Sequence, residues 1–338
     1  MASGPMPDEA LQTFKLQDGR ALAFRVLGAQ LQPFHRAVLY FHGVPSCSME
    51  AEALDGAGRK LGLAVVSMDR AGIGLSDFKK FRALQTAAED AHQLAGHLKM
   101  KHIVLVGTSG GGPYAASYAS LFPEHVESLV LISAVGPTDW SNLPLLRAMR
   151  GADLLQFSLV RLPPMGGLWT LHAVMAYMAK KHTQTLLDHA PEGMAAVDGE
   201  VLRSDERVRD AFGRCLQHAY CRGARGMAQD VRVLGGKWNI DFSRIKCKVM
   251  IWQGEDDLSV PVKHAQWWAD EMPGSRLTLL PNEGHITVLL HHGESILDTA
   301  LHWTPPRTQQ EQQQQQKAHH KQVQHHNRHS KHHASRRK

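Results

Sequence analysis

The stretch Gly107-Thr108-Ser109-Gly110-Gly111 constrains the fold more than any other part of the chain, because of what flanks it. Before it, residues 101–106 (KHIVLV) form a short apolar, β-branched run that reads as a buried strand. After it, Gly112-Pro113-Tyr114 opens a segment of small residues up to Leu121 that suits a helix, with Pro113 tolerated in the first turn. Strand, G-x-S-x-G turn and helix together make the setting of a nucleophile elbow. The glycines are needed there because the turn is tight and neighbouring backbone presses on the serine. With 29 glycines in 338 residues the pattern alone is weak, so its context must carry the reading.

A serine hydroxyl is a poor nucleophile until a base takes its proton, and that base must be oriented by a third group. In this arrangement an acid follows the serine at a later strand end, and a histidine follows the acid. Residues 248–253 (KVMIWQ) read as a strand that empties into Gly254-Glu255-Asp256-Asp257. Residues 276–280 (RLTLL) read as another, ending in Pro281-Asn282-Glu283-Gly284-His285. Open α/β sheets place their chemistry at that edge. Asp256 and Asp257 both remain candidates for the acid on this reading. His264, His291 and His292 fall on a helix or at its start and fit the base less well.

Four blocks now stand in order: Phe41-His42-Gly43-Val44-Pro45, Asp69-Arg70-Ala71-Gly72-Ile73-Gly74-Leu75-Ser76-Asp77, the turn at Ser109, and the pair Gly254-Glu255-Asp256-Asp257 with Gly284-His285. In these blocks the chain resembles the α/β-hydrolase superfamily. The resemblance implies Ser109 as nucleophile, Asp257 (three residues after Gly254) as orienting acid, and His285 as general base. It also implies an oxyanion hole made by the backbone N–H groups of Val44 and Gly110. Removing a donor of that kind costs about 3–4 kcal/mol of transition-state stabilisation. No metal or organic cofactor is implied. A serine rather than an aspartate at the elbow argues against the dehalogenase and epoxide-hydrolase branches. His-Gly-Val-Pro-Ser in place of a glycine-rich loop argues against an aminopeptidase that cleaves after proline. The Asp69-Arg70 pair reads as structural, ordering a loop at a strand end, and Gly72 and Gly74 read as turn glycines.

The rest of the organisation follows from periodicity. Residues 14–26 suggest a hairpin turning at Asp18-Gly19, and strand signals recur at 38–41, 64–68, 102–106, 129–133, 249–253 and 277–280. Helical stretches such as 84–98 separate several of them. That alternation predicts an α/β fold, a mostly parallel central sheet with helices on both faces. The core would comprise residues 10–135 and 244–303. Between them, 136–243 shows helical periodicity (145–155, 168–179 and 207–221 among others) and is expected to form a helical cap inserted after the sixth strand. Leu143, Leu146, Met149, Phe157, Met165, Trp169, Met175 and Met178 are its candidate apolar lining, although such residues more often form an ordinary helical core.

Residues 304–338 carry eight basic side chains against one acid, a net +7, while the whole chain is +6. The body is therefore near −1, and the basic balance describes a Gln/His-rich tail expected to be disordered, not a nucleic-acid-binding fold. Weak contact of that tail with anionic surfaces is the one membrane role the sequence suggests. No apolar run is long enough to span a bilayer, and the amino terminus shows no signal-peptide pattern, so a cytoplasmic location is expected. Cys47, Cys215, Cys221 and Cys247 lack metal-ligand spacing, and Cys47 reads as a small buried filler. The expected activity is hydrolysis of a carboxylic ester, or a similar acyl bond, in a small or medium apolar substrate. A carbon–carbon bond hydrolase with the same residues is one alternative, and a slow-turnover ligand receptor on the same fold is another.

Overall fold

The chain opens with an antiparallel hairpin, β1 (Leu11–Lys15) and β2 (Ala21–Gly28), which turns through Gly19 at φ 88°. Then come β3 (Arg36–Phe41), α1 (Asp55–Leu61), β4 (Ala64–Met68), α2 (Leu84–His97), β5 (His102–Thr108), α3 (Gly112–Leu121) and β6 (Val126–Ile132). Seven α-helices follow among the described residues with no strand between them. They are α4 (Leu143–Ala148), α5 (Gly151–Leu159), α6 (Gly166–Lys181), α7 (Thr183–His189), α8 (Ala196–Ser204), α9 (Glu206–Ala219) and α10 (Arg225–Leu234). The chain then returns through β7 (Lys248–Gly254), α11 (Val262–Glu271), β8 (Arg276–Leu280) and α12 (Thr287–His302). This computed structural model describes residues 11–160 and 166–303, so Met165 and the 304–338 tail lie outside it.

The eight strands form one sheet in the order β1-β2-β4-β3-β5-β6-β7-β8. From β4 to β8 in that order every pairing is parallel, and only β2 runs against them, antiparallel to both β1 and β4. The two-residue period of a strand divides each central strand between two apolar layers. Ala37, Leu39 and Phe41 join Ile103, Leu105, Leu129 and Leu131 in the layer that α2, α3 and α11 cover. Val38 and Tyr40 join Val104, Val106, Val130 and Ile132 in the layer under α12. Near-continuous apolar strands are what burial on both faces demands.

The sheet and the alternation match the sequence reading, and β6 starts three residues earlier than its apolar pattern suggested. One helix expected at 145–155 is two. Gly151, the first residue of α5, takes φ 55°, a left-handed turn that a continuous helix cannot contain. Of the suggested lining residues, Leu146, Met149 and Phe157 are buried in the main core with Leu143 packed on them, whereas Trp169 is about half exposed. A third apolar cluster joins Cys47, Met49 and Ile73 of the sheet side to Leu216 of α9, Tyr220 just past its end and Met227 of α10. The helices between β6 and β7 are therefore docked on the sheet's C-terminal edge partly through the main core and partly through this third cluster. Among the described residues no helix is long and apolar enough to cross a membrane.

Candidate active site

Ser109 sits where β5 ends and α3 begins, with φ 53°, a left-handed conformation that a residue with a side chain adopts only under constraint. The constraint is close approach. A Cβ on Gly111 would lie 1.9 Å from the Phe41 carbonyl oxygen, and one on Gly107 would meet the Gly111 oxygen and the Gly112 Cα at 2.8 Å each. The two glycines of the motif are thus explained by backbone crowding around a single exposed-edge serine.

The loop after β3 lies directly against this turn. A Cβ on Gly43 would be 3.2 Å from the Ser109 Cβ, and one on Gly110 would be 3.0 Å from Val44 Cγ2. Both faces of the loop are held by hydrogen bonds. Glu50 accepts from the Gly43 N–H (3.0 and 3.1 Å) and from the Tyr40 hydroxyl at 2.7 Å. Burial pushes the Glu50 carboxyl up, against the pull of the donors around it. On the other face Arg70 donates from Nη1 to the His42 carbonyl (2.5 Å) and from Nη2 to the Gly43 carbonyl (2.9 Å). In a trans peptide the C=O and the following N–H point in opposite directions. Fixing the Gly43 carbonyl against Arg70 therefore turns the Val44 N–H away from Arg70.

Arg70 is itself buried, and a buried cation needs a partner. Its partner is Asp230 on α10, bonded to Nε (3.0 Å) and Nη2 (2.5 Å). Asp230 also pairs with Arg82 (2.7 Å) and accepts from the Tyr114 hydroxyl (2.7 Å), and the Tyr114 ring lies under the Arg70 guanidinium at 4.5 Å. Burial alone would raise the Asp230 carboxyl, yet the two guanidiniums hold it down to about 2. Burial and the Arg70 charge together push the His42 imidazole down to about 3, so it is neutral beside them. Asp69 and Arg70 do not pair with each other. Asp69 faces the opposite way and meets His218 of α9 at 2.8 Å, so two sequence neighbours grip two different helices.

At the other end of the sheet edge, His285 Nδ1 bonds Asp257 Oδ2 at 2.8 Å. Asp257 is buried, and its other oxygen accepts from the Ser259 and Val260 N–H groups at 2.9 and 2.8 Å. Asp256 is exposed and makes no such contact, so of the two acids Asp257 is the one placed against the imidazole. Burial alone would push the His285 imidazole down, but the Asp257 charge and hydrogen bond, with Asp153 and Asp198 behind them, push it up to about 9. Asp153 of α5 is held by Gln156 at 2.7 Å, and burial pushes its carboxyl up. Among the described residues no hydrogen bond joins His285 to the Ser109 hydroxyl. Bonds of that kind are often long in unliganded enzymes and tighten when substrate arrives.

Of the candidate ligand clusters, Cys47, Asp69 and His218 bring their ligand atoms within 4.8 Å of one another. The Asp69 oxygens are already engaged by the Ser48 N–H (2.8 Å), the Leu75 N–H (3.2 Å) and His218. That makes the group a hydrogen-bonded, satisfied contact bridging sheet and α9. Cys47 is fully buried beside it.

The sequence profile described as alpha/beta hydrolase fold matches residues 36–292. The chain belongs to the alpha/beta hydrolase family. An uncharacterized protein of Mycobacterium tuberculosis (strain ATCC 25618 / H37Rv) is 29% identical over 288 residues, covering 83% of this chain and 78% of that one. Among solved structures, an esterase from Exiguobacterium antarcticum superposes with a TM-score of 0.60 at 19% identity, covering 86% of this chain and 97% of its own. The epoxide hydrolase CorEH superposes with a TM-score of 0.64 at 18% identity, covering 86% and 96%. At such identities the likeness is one of fold.

Within this alpha/beta hydrolase, the structure gathers Ser109, Gly110 and Val44 at one turn and Asp257 with His285 at another, both on the C-terminal edge of the sheet. Sequence reasoning missed Glu50, Asp153, Asp198 and Asp230 around them. Three of these are single acids on helices between β6 and β7, with no local pattern to distinguish them from solvated ones. Arg70 was visible as part of a charge pair, but its true partner lies 160 residues away.

Proposed function

We propose that this alpha/beta hydrolase is a serine hydrolase that cleaves a carboxylic ester, or a similar acyl bond, of a small to medium apolar substrate. The observation that carries the reading is Ser109 held at positive φ, with Val44 packed against Gly110 beside it. In the proposed reaction the Ser109 oxygen attacks the carbonyl carbon and its proton passes to Nε2 of His285. The Val44 and Gly110 N–H groups stabilise the oxyanion. His285 then protonates the departing alcohol, and Asp257 keeps the imidazole oriented throughout. Water, deprotonated by the same histidine, attacks the acyl-serine and restores the enzyme. Helices α4–α10 act as a cap over this edge and shape the acyl pocket.

The nucleophile also bears on substrate class. Opening an epoxide with a serine would leave an alkyl ether, which has no carbonyl for water to attack. An acyl substrate leaves an ester, which the same machinery can hydrolyse. The test is labelling with a fluorophosphonate probe together with p-nitrophenyl esters of increasing chain length. Stoichiometric labelling at Ser109, and a loss of about 10⁶-fold in kcat in Ser109→Ala, are expected. A folded wild type that neither labels nor turns over any ester overturns the reading.

A further inference from the structure

The helices between β6 and β7 reach His285 by a route the proposed chemistry does not require. Asp198, on α8, is buried with 1% of its surface exposed, and its carboxylate faces the backbone of the loop that carries the base. Oδ2 accepts from the His285 N–H at 2.6 Å. Oδ1 accepts from the Ile286 and Thr287 N–H groups at 3.0 and 3.1 Å. Thr287 opens α12, a helix of 16 residues with no side-chain cap of its own, and its N–H is one of that helix's orphan donors. A carboxylate from another helix thus does what an N-cap side chain ordinarily does, in the position the helix dipole favours.

The loop is shaped to receive it. A Cβ on Gly284 would fall 2.3–2.5 Å from the Asp198 carboxylate atoms. The Gly284 φ is not left-handed, so this glycine is required by the neighbouring carboxylate and not by the turn. The Gly284 N–H is satisfied separately by Thr287 Oγ1 at 2.8 Å. His285 is therefore fixed at both ends: its backbone by Asp198 and its Nδ1 by Asp257.

Resting on the reading of His285 as base, we propose that Asp198 is the positioning residue of the base loop, acting through the backbone so that Nε2 is aimed at Ser109. The helical segment then completes the catalytic apparatus instead of only covering it. A 1 Å misplacement of a reacting group costs about 10²-fold in rate. Asp198→Ala is expected to lose about that much in kcat and in the rate of fluorophosphonate labelling. Asp198→Asn keeps acceptor capacity at one oxygen and is expected to lose only about 10-fold. KM for a p-nitrophenyl ester should stay within about twofold in both. The acidic limb of the rate profile should move to lower pH, because a carboxylate that raises the His285 imidazole has gone.

Amide hydrogen exchange tests the contact without any turnover. Residues 285–287 should lose protection in Asp198→Asn while the central strands keep theirs. Gly284→Ala attacks the same contact from the other side. It should reproduce the Asp198→Ala defect and add little to it in the double variant, since the carboxylate it would strike is absent. Faster exchange at 285–287 with unchanged kcat and pH profile overturns the positioning role and leaves the hydrolase reading intact. Unchanged exchange overturns the contact itself. A wild type that does not label at Ser109 overturns the hydrolase reading, and the positioning role with it. Should the alanine variant fail to fold, Asp198→Asn carries the whole comparison.

Discussion

Two loops flank the elbow, and side chains of opposite charge tie them to the helices between β6 and β7. The loop after β3 offers carbonyl oxygens, from His42 and Gly43, and it is held by the Arg70 guanidinium. The loop after β8 offers N–H groups, from residues 285–287, and it is held by the Asp198 carboxylate. Backbone polarity decides which charge can do the work, because a loop presents either donors or acceptors to a given side. The difference also sets the route by which the helices between β6 and β7 reach each loop. Asp198 touches the base loop directly, whereas Asp230 reaches the other loop only through Arg70. A relayed hold needs a buried ion pair, and a direct one does not.

The largest expected effect breaks the relayed side. Asp230→Ala leaves Arg70 and Arg82 as buried guanidiniums without their carboxylate, and removing one partner of such a pair costs about 3–5 kcal/mol. Denaturant unfolding should show that loss. If Asp230→Ala unfolds with a wild-type midpoint, the charge of Arg70 is compensated elsewhere and the relay does not exist. Next in size is Arg70→Met, which removes the hold on the Gly43 carbonyl. An oxyanion donor is worth about 10²–10³-fold in kcat, and misdirecting the Val44 N–H should cost a fraction of that, roughly 10–100-fold with KM little changed. Arg70→Lys should not rescue it, because one ammonium cannot replace a planar fork that spans two carbonyls and a carboxylate.

How much of this was legible follows from what kind of signal each residue leaves. The strands were readable because β-branched runs such as 102–106 are buried on both faces. Gly107 and Gly111 were readable because backbone crowding tolerates nothing else. His285 and the Asp256-Asp257 pair follow strand ends, a position that sequence periodicity locates, whereas the choice of Asp257 within the pair rested on the family resemblance. Asp198, Asp230 and Asp153 lie on amphipathic helices where an acid is usually solvated, and only tertiary placement turns them inward. Asp69 and Arg70 show the limit from another side. Adjacent charges read as a pair, but successive side chains leaving a strand end point to opposite sides, so each found a distant partner.

Asp153→Asn sharpens the electrostatic side of the comparison. His285 must be neutral to accept a proton, so activity should rise with pH through its raised value of about 9. Asp153 helps to raise it, and its removal should shift the acidic limb downward. At neutral pH the rate should then increase roughly two- to five-fold, with the alkaline plateau unchanged. The effect is modest because the Asp257 charge and hydrogen bond raise the imidazole more than Asp153 does. A limb that stays put would mean that Asp153 does not act on the imidazole.

The smallest effect concerns the elbow, which neither charge holds. Ser109 at φ 53° is kept in place by the sheet and by the packing of Phe41, Gly43 and Val44 around it, so its strain is stored in the backbone. Ser109→Ala and Ser109→Gly both remove the nucleophile, but alanine keeps the left-handed strain that glycine relieves. A left-handed residue with a side chain costs about 1–2 kcal/mol, and glycine gives back part of the relief through its larger loss of backbone entropy. Glycine should therefore be the more stable of the two inactive variants by about 0.5–1 kcal/mol, seen as a rise of about 1–3 °C in Tm. Equal melting would mean that the turn relaxes around alanine. In that case the packing of Phe41, Gly43 and Val44 would not by itself enforce the left-handed conformation, and the strain would not be stored at this residue.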